Sequence, residues 1–405
     1  MNRVRKFKSA LILTALSMVL LPVPSSLAKS DATAWEKSTD QALKAYEQGD
    51  FSRAEEILKK VLKDAEALGD DNPVLHKSID NLALVYFKEG DFPKAEPLLI
   101  RSLELQEAKY GKDSLKICEA LHNLGILYLS EDKYSDAEKS FKRLLKIREK
   151  NLDKNHLDIA TTLNNLAEVY DLRGKFKTAE KMLLRSLEIR EAKLDKNHVD
   201  IANSLNNLAG LYMDEELFDK AEPLLLRSLK IQETASKDKK KDAGLSAILN
   251  NLAELYDAKG EFKKAEPLLK QSLAIDEAIY GANHPSVAKT LNNLAALYID
   301  EGKYKEAEPL VERSMKIAEG LEDPDHPGMI QSLEEVAEIY ASKGKSDQAL
   351  PIRKRILFIQ EKRLGKDSPE LVMYIEDYAE NLNECGKEKE SQEFKERAKS
   401  LRKKK

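Results

Sequence analysis

The chain has 405 residues, a formal net charge of −4, charged side chains at 34% of positions and only two cysteines, Cys118 and Cys385. A mildly acidic surface is a poor match for nucleic acid, where neutralising phosphates dominates affinity. Two cysteines far apart in the sequence read as apolar fillers, so packing and not crosslinking has to hold the fold.

The chain opens with Arg3, Arg5, Lys6 and Lys8, then an apolar run from Ala10 to Leu21, then the small residues around Ala28. That order predicts a secretory signal peptide over residues 1–28, cut after Ala28, and a secreted or periplasmic protein. The run is shorter than the ~20 residues of a membrane-spanning helix. An uncleaved N-terminal membrane anchor is the alternative; no later segment is apolar enough to span a bilayer. Removing the segment leaves 63 basic against 71 acidic residues, a net charge of −8.

From residue 29 onward the sequence reads as one array. Tyr86, Tyr128, Tyr170, Tyr212, Tyr256, Tyr298 and Tyr340 recur every 42 residues, with one step of 44. A small residue stands three before each (Ala83, Gly125, Ala167, Ala209, Ala253, Ala295, Ala337), and an Ala follows nine after (Ala95 to Ala349). A fixed period of this length means stacked supersecondary units. Within one unit, Leu163, Leu166, Ala167 and Tyr170 share a helical face, Gly174 interrupts, and Phe176, Ala179, Leu183 and Leu187 resume the helical period. Each unit is therefore a helix, a turn and a second helix, with small residues where the two backbones approach. A weaker unit at residues 37–62 precedes the regular ones, giving about eight to nine in all.

Gly occupies most of the turns, where a positive φ suits it; Asp132 and Glu216 replace it in two units, which predicts looser turns there. Pro97, Pro223, Pro267, Pro309 and Pro351 fall early in second helices, where a missing donor costs little. His156, His198, His284 and His326 stand at equivalent joints and read as helix caps rather than metal ligands. The 44-residue step carries Lys237-Asp238-Lys239-Lys240-Lys241-Asp242, which predicts a longer, mobile charged loop. From about residue 328 the units lose their pattern and read as eroded caps.

The run Leu-Asn-Asn-Leu-Ala-x-x-Tyr (Leu163–Tyr170, Leu205–Tyr212, Leu249–Tyr256, Leu291–Tyr298), followed by Gly-x-aromatic-x-x-Ala-Glu-Pro-Leu-Leu and Asn-His-Pro, resembles the kinesin-light-chain type of tetratricopeptide repeat. The resemblance covers nearly all of the chain after residue 28. It implies an all-α fold, a right-handed superhelical solenoid of antiparallel helix pairs whose concave groove binds extended peptides.

In that groove the resemblance puts Asn81, Asn123, Asn165, Asn207, Asn251 and Asn293, doubled by Asn164, Asn206, Asn250 and Asn292. A side-chain amide donates and accepts, so such a ladder can pair with a peptide backbone of any sequence. The same amides can instead bond neighbouring helices and set the repeat spacing; both readings stay open. Between them lie apolar residues in the early units (Leu84, Phe87, Ile126, Leu129, Met213) and carboxylates in the last two (Glu334, Glu335, Glu338, Glu376, Asp377, Glu380, Glu384). This predicts a groove apolar toward its N-terminal end and anionic toward its C-terminal end, fitted to a segment with basic and apolar ends. Solvated capping units would give the same acidic pattern. No catalytic or metal motif is present, so the expected function is a non-catalytic adaptor for a protein or peptide partner, with no cofactor. An accessory subunit assembling through its convex face or ends is the alternative.

Overall fold

The computed structural model describes residues 29–47, 50–70, 72, 74–320 and 327–402. The predicted signal segment, Gly49 of the first repeat, His326 and the last three residues lie outside the described residues. Eighteen α-helices and three short 3-10 turns, with no strand among the described residues, make an all-α solenoid of nine helix pairs.

The first pair is α1 (Lys29–Glu47) and α2 (Phe51–Ala67), and the second α3 (Leu75–Lys88) and α4 (Phe92–Tyr110). Then come α5 (Cys118–Ser130) with α6 (Tyr134–Asn151), α7 (Leu157–Leu172) with α8 (Phe176–Lys193), and α9 (Val199–Asp214) with α10 (Phe218–Ala235). The rest are α11 (Ala243–Ala258) and α12 (Phe262–Tyr280), α13 (Pro285–Asp300) and α14 (Tyr304–Gly320), α15 (Pro327–Ser342) and α16 (Ser346–Leu364), and α17 (Val372–Glu384) and α18 (Glu388–Arg402). By contact the chain divides into two compact units. One holds α1 to α8 and most of α9, and the other begins with the first turn of α9 and continues through α10 to α18. In each, second helices pack on the first helix of the next pair, as α2 does on α3 and α12 on α13.

The small seats explain the close approach. Ala83, Ala167, Ala209, Ala253 and Ala295 are buried, as are the facing Ala95, Ala179, Ala221 and Ala265. One unit differs: Gly125 stands in the Ala seat, and a Cβ there would lie 2.5 Å from the ring of Phe141, itself fully buried. Four other units pair Ala at that seat with a buried Leu sixteen residues on (Leu99, Leu183, Leu225, Leu269).

The periodic Tyr does more than fill space. Its phenol donates to a Glu on the second helix of the preceding unit: Tyr86 to Glu55 at 2.9 Å, Tyr170 to Glu138 at 2.9 Å, Tyr212 to Glu180 at 2.7 Å, Tyr256 to Glu222 at 3.2 Å and Tyr298 to Glu266 at 3.0 Å. That Glu is the one following the second Ala of each unit, and a cation often joins it, as Lys133 does Glu96 and Lys259 does Glu222, both at 2.7 Å. Burial, then the carboxylate, pushes the Tyr212 phenol up to about 12, so it stays a donor at any working pH. A bond from phenol to carboxylate contributes about 1.5–3 kcal/mol when desolvated. Further out, Arg101–Glu66, Arg143–Glu107, Arg185–Glu149 and Arg313–Glu277 join successive second helices. Those exposed pairs contribute at most about 1 kcal/mol each.

Two expectations are corrected. Asp132 and Glu216 both hold φ of 57°, so their turns keep the left-handed conformation of the glycine turns instead of loosening. Tyr134 donates its hydroxyl to Asp132 Oδ1 at 2.5 Å, which offsets part of the strain at that turn. The charged insert is not an irregular loop: Lys239–Lys241 form a 3-10 turn, and Asp242 caps α11 through Leu245 N at 2.9 Å while accepting from Gln232. The prolines do sit inside their second helices, and His156, His198 and His284 each cap a first helix through Nδ1.

Candidate functional site: the exposed side of the first helices

Each first helix packs one face on the second helices and turns another toward the first helices of neighbouring units. Positions four and seven residues apart share that second face. In α7 Asn164, Glu168 and Asp171 have that spacing, and in α9 Asn207 and Asp214 do, one register position further on.

The asparagines are not an open row. Asn81, Asn123, Asn164, Asn165, Asn206, Asn207, Asn251 and Asn292 are buried, and Asn250 and Asn293 are half-buried. Asn165 Nδ2 lies 3.2 Å from His122 Nδ1 on α5, and Asn293 Nδ2 donates to Asn250 Oδ1 on α11 at 3.2 Å. These bonds span 43 residues, from the second Asn position of one unit to the first position of the unit before. Asn250 also donates to Ser246 O at 3.1 Å and to Ser272 Oγ, tying it to its own unit. The amides thus include rungs between consecutive first helices. Others are left open on one side: among the described residues Asn164 Oδ1 and Asn207 Oδ1 are buried without a hydrogen-bond partner, in side chains only 6% and 5% exposed.

The apolar end expected of the groove is corrected. Leu84, Ile126, Leu129 and Met213 are all buried, and Phe87 packs against Phe92 with ring centroids 5.7 Å apart. The first four are core, and Phe87 is half-buried against it. A first-helix residue faces either its own second helix or a neighbouring unit, and sequence spacing alone does not say how tightly the units close.

What remains reachable on this side is acidic, in the N-terminal compact unit as well as in the last repeats. Glu168 and Asp171 of α7, Asp214 at the end of α9 and Glu215 just after it are half-buried. Burial, then the charge of Asp171, pushes the Glu168 carboxyl up to about 8. Burial and the Glu215 charge push Asp171 up to about 6 against a hydrogen bond with Asp214. Nearer the N-terminus, burial raises Asp80 to about 7, opposed by a bond to Ser102 and reinforced by Glu119.

In the last repeats Asp377 and Glu338 are exposed, while Glu334 and Glu376 are half-buried; the side chain of Glu335 lies outside the described residues. Partial desolvation raises Asp377, Arg353 opposes this, and Glu338, Glu380 and Glu376 add to it, so Glu338 and Asp377 do act on one another. Arg353 also donates to the Asp377 carbonyl at 2.7 Å. Among the described residues no group of histidine, cysteine and carboxylate side chains is arranged to hold a metal ion, and no helix is long and apolar enough to cross a membrane. Cys118 and Cys385 are both free thiols.

Comparison with known proteins agrees with this architecture. Among curated proteins no sequence matches the chain. Solved structures of the kinesin-light-chain kind are similar: BtubC (BKLC) from P. vanneervenii is 28% identical, with a TM-score of 0.49, over 56% of this chain and 91% of that one. Repeats of a candidate kinesin light chain from P. anserina are 25% identical, with a TM-score of 0.43, over 50% of this chain and 96% of theirs. Over a longer span the fold is similar to that of a Rap protein complexed with Competence and Sporulation Factor, 17% identical with a TM-score of 0.53, covering 92% of this chain and 98% of that one. The tetratricopeptide-repeat profile matches six overlapping stretches, 74–150, 131–192, 158–234, 200–278, 244–320 and 286–362. Most of the chain is thereby accounted for, and it belongs to the tetratricopeptide-repeat family.

Proposed function

We propose that the chain is a non-catalytic scaffold that holds an extended segment of a protein partner along the exposed side of its first helices. The observation that carries this reading is the pair of buried amide oxygens, Asn164 Oδ1 and Asn207 Oδ1, that find no donor among the described residues. Leaving a buried acceptor unmade costs about 1–3 kcal/mol. Many polar groups of the repeat pair in register, Tyr with Glu, Arg with Glu and Ser186 with Ala160 O at 2.8 Å. Acceptors left over on one face of such an array suit the backbone N–H groups of a segment lying across them. Asn165 and Asn293, by contrast, spend their amides on neighbouring helices, and their role in this reading is to fix the spacing of the units. NprR is solved in complex with its cognate peptide NprX and a Rap protein with Competence and Sporulation Factor, but that likeness is one of fold, and the reading rests on the geometry of this chain.

The test is an Asn164→Ala, Asn207→Ala variant used as bait beside the native chain. Removing amides whose oxygens are unpaired should leave the melting temperature within a few degrees. Capture of the partner should fall sharply. Equal capture by both baits would place recognition on the convex face or the ends, the arrangement of an accessory subunit. The place of action proposed is outside the cytoplasm, secreted or periplasmic, with residues 1–28 as the signal peptide. N-terminal sequencing of protein recovered from the exported fraction checks it: a chain beginning at Lys29 supports cleavage, and one retained in membranes with Met1 intact supports the anchor.

A further inference from the structure

We propose a separate binding site, for a saccharide, in the cleft where α14 meets the end of α15 and the start of α16. It goes beyond the segment-binding reading and does not depend on it. The cleft has a volume of about 530 Å³, and its walls include Tyr304 and Glu308 of α14, Tyr340 of α15, Gln348 of α16 and Lys345 just before α16. Sites that hold small molecules have ~300–1,000 Å³.

The cleft stands where the pairing of the array lapses. Glu308 follows Ala307 as Glu138 follows Ala137, the place that accepts the phenol of the next unit. The Tyr340 hydroxyl makes no such bond, to Glu308 or to another described residue; its ring lies beside that of Tyr304, with centroids 6.5 Å and planes 28° apart. Lys303 pairs with Glu301 at 2.9 Å, whereas Lys345, in the same place one repeat on, lies 5.0 Å from the centroid of the Tyr304 ring. Among the described residues no ion pair reaches Lys345 or Glu308. Gln348 Oε1 is buried without a hydrogen-bond partner among them.

The groups left over are of both kinds. Two phenols and an ammonium donate, and the Gln348 oxygen and the Glu308 carboxylate accept. Burial, then the Glu308 charge, pushes the Tyr340 phenol up to about 12, so it stays a donor. An anion entering the cleft meets Glu308 and Glu306, and a cation meets Lys345 and Lys305. A zwitterion would suit those charges, but Glu306, Glu308 and Lys305 are exposed and already solvated, whereas the buried groups, Tyr340 and the Gln348 oxygen, are neutral. Hydroxyls side by side on a neutral ligand meet both kinds, because each donates and accepts. The Gln348 amide turns toward them about its last torsion, which is broad and costs little. The two tyrosine rings add an apolar wall: the C–H bonds of a sugar ring, polarised by its oxygens, pack on the negative face of an aromatic. A saccharide has both a hydroxyl edge and a C–H face.

The test is saturation-transfer NMR and calorimetry on the purified chain with D-glucose, D-galactose, N-acetyl-D-glucosamine, maltotriose and triacetylchitotriose, beside glycine and inorganic phosphate. At least one sugar should bind with millimolar affinity or better, and glycine and phosphate should not. Binding of a trisaccharide without its monosaccharide supports a glycan chain as the ligand; binding of both supports a free sugar. Tyr340→Phe removes only a hydroxyl that has no partner in the protein, so the melting temperature should hold while sugar affinity falls roughly fivefold, the loss of one hydrogen bond. Glu308→Gln, at an exposed position, should weaken binding by a similar factor. The Asn164→Ala, Asn207→Ala variant should bind the sugar as the native chain does, so failure of the segment reading leaves this site standing. The proposal is overturned if no sugar binds, if glycine or phosphate binds instead, if sugar binding survives both Tyr340→Phe and Glu308→Gln unchanged, or if the Asn variant loses it.

Discussion

Gly125 and Phe141 are wedged against one another, and a double-mutant cycle measures how tightly. In Gly125→Ala the new methyl would meet the ring at 2.5 and 2.6 Å, and the ring, fully buried, has no open side to move into. Overpacking of this kind costs about 1–3 kcal/mol, from which the better helix propensity of Ala returns about 0.5–1. Phe141→Leu alone leaves a void beside Gly125 and should cost roughly 1–2 kcal/mol. The pair together recreates the Ala and Leu combination of four other units, so the double variant should match the native chain or exceed it by about 0.5–1 kcal/mol. The coupling energy is then about 2–3 kcal/mol. Repeat arrays open unit by unit, so the readout is native-state hydrogen exchange on peptides from α5 and α6 beside urea unfolding. Additive single effects, to within about 0.5 kcal/mol, would show that the ring does not depend on the missing methyl.

The turn at Glu216, exposed and at φ 57°, should gain about 0.5–1 kcal/mol on Glu216→Gly, the relief of left-handed strain less the entropy Gly adds to the unfolded chain. Asp132→Gly should gain less, because it also loses the bond from Tyr134; a lower melting point for Glu216→Gly would refute the account. Glu168 and Asp171 have folded values raised above their unfolded ones, to about 8 and about 6, so the unfolded chain gives up these protons first. Their contribution is neutral below about pH 4, and stability falls as pH rises from there to about 8. Glu168→Gln should therefore melt higher than the native chain at pH 8 and equally at pH 4; a gain of the same size at both would exclude the charge as its cause. Limited trypsin should cut first within Lys239–Lys241, which are exposed and held only in a short turn; a fragment pattern beginning elsewhere would show that turn to be well anchored.

The Tyr and Ala frame was legible because each position repeats at a fixed interval, and helix pairs follow from where the apolar residues fall around the turn glycines. The histidine caps were legible for the same reason, since a side-chain acceptor two residues before a free N–H is a local relation. The partners of the Tyr were not. Glu138 stands 32 residues before Tyr170 and is one acidic residue among 71, so nothing in the sequence singles it out. The burial of Asn206 and Leu84 was equally hidden, since it depends on how closely successive first helices approach. Acidic residues in the last repeats stood out by losing the Asn pattern, whereas Glu168 and Asp171 sit inside a well-patterned unit and pass as ordinary surface charge until their burial is known.

The link from each Tyr to the Glu of the previous unit has a bearing on how such a chain can change length. In the pairs Tyr170 and Tyr212 the two partners are 32 residues apart, yet Tyr256 reaches Glu222 across 34. The two added residues fall in the joint and leave the bond intact. Length can thus vary in the joints, and whole repeats can be duplicated or deleted, with each new neighbour finding its hydroxyl and carboxylate already in register. Loss of half a repeat would strand a phenol with nothing to bond. The array is modular in units of one Tyr and one Glu, and that granularity sets which truncations should yield a folded product.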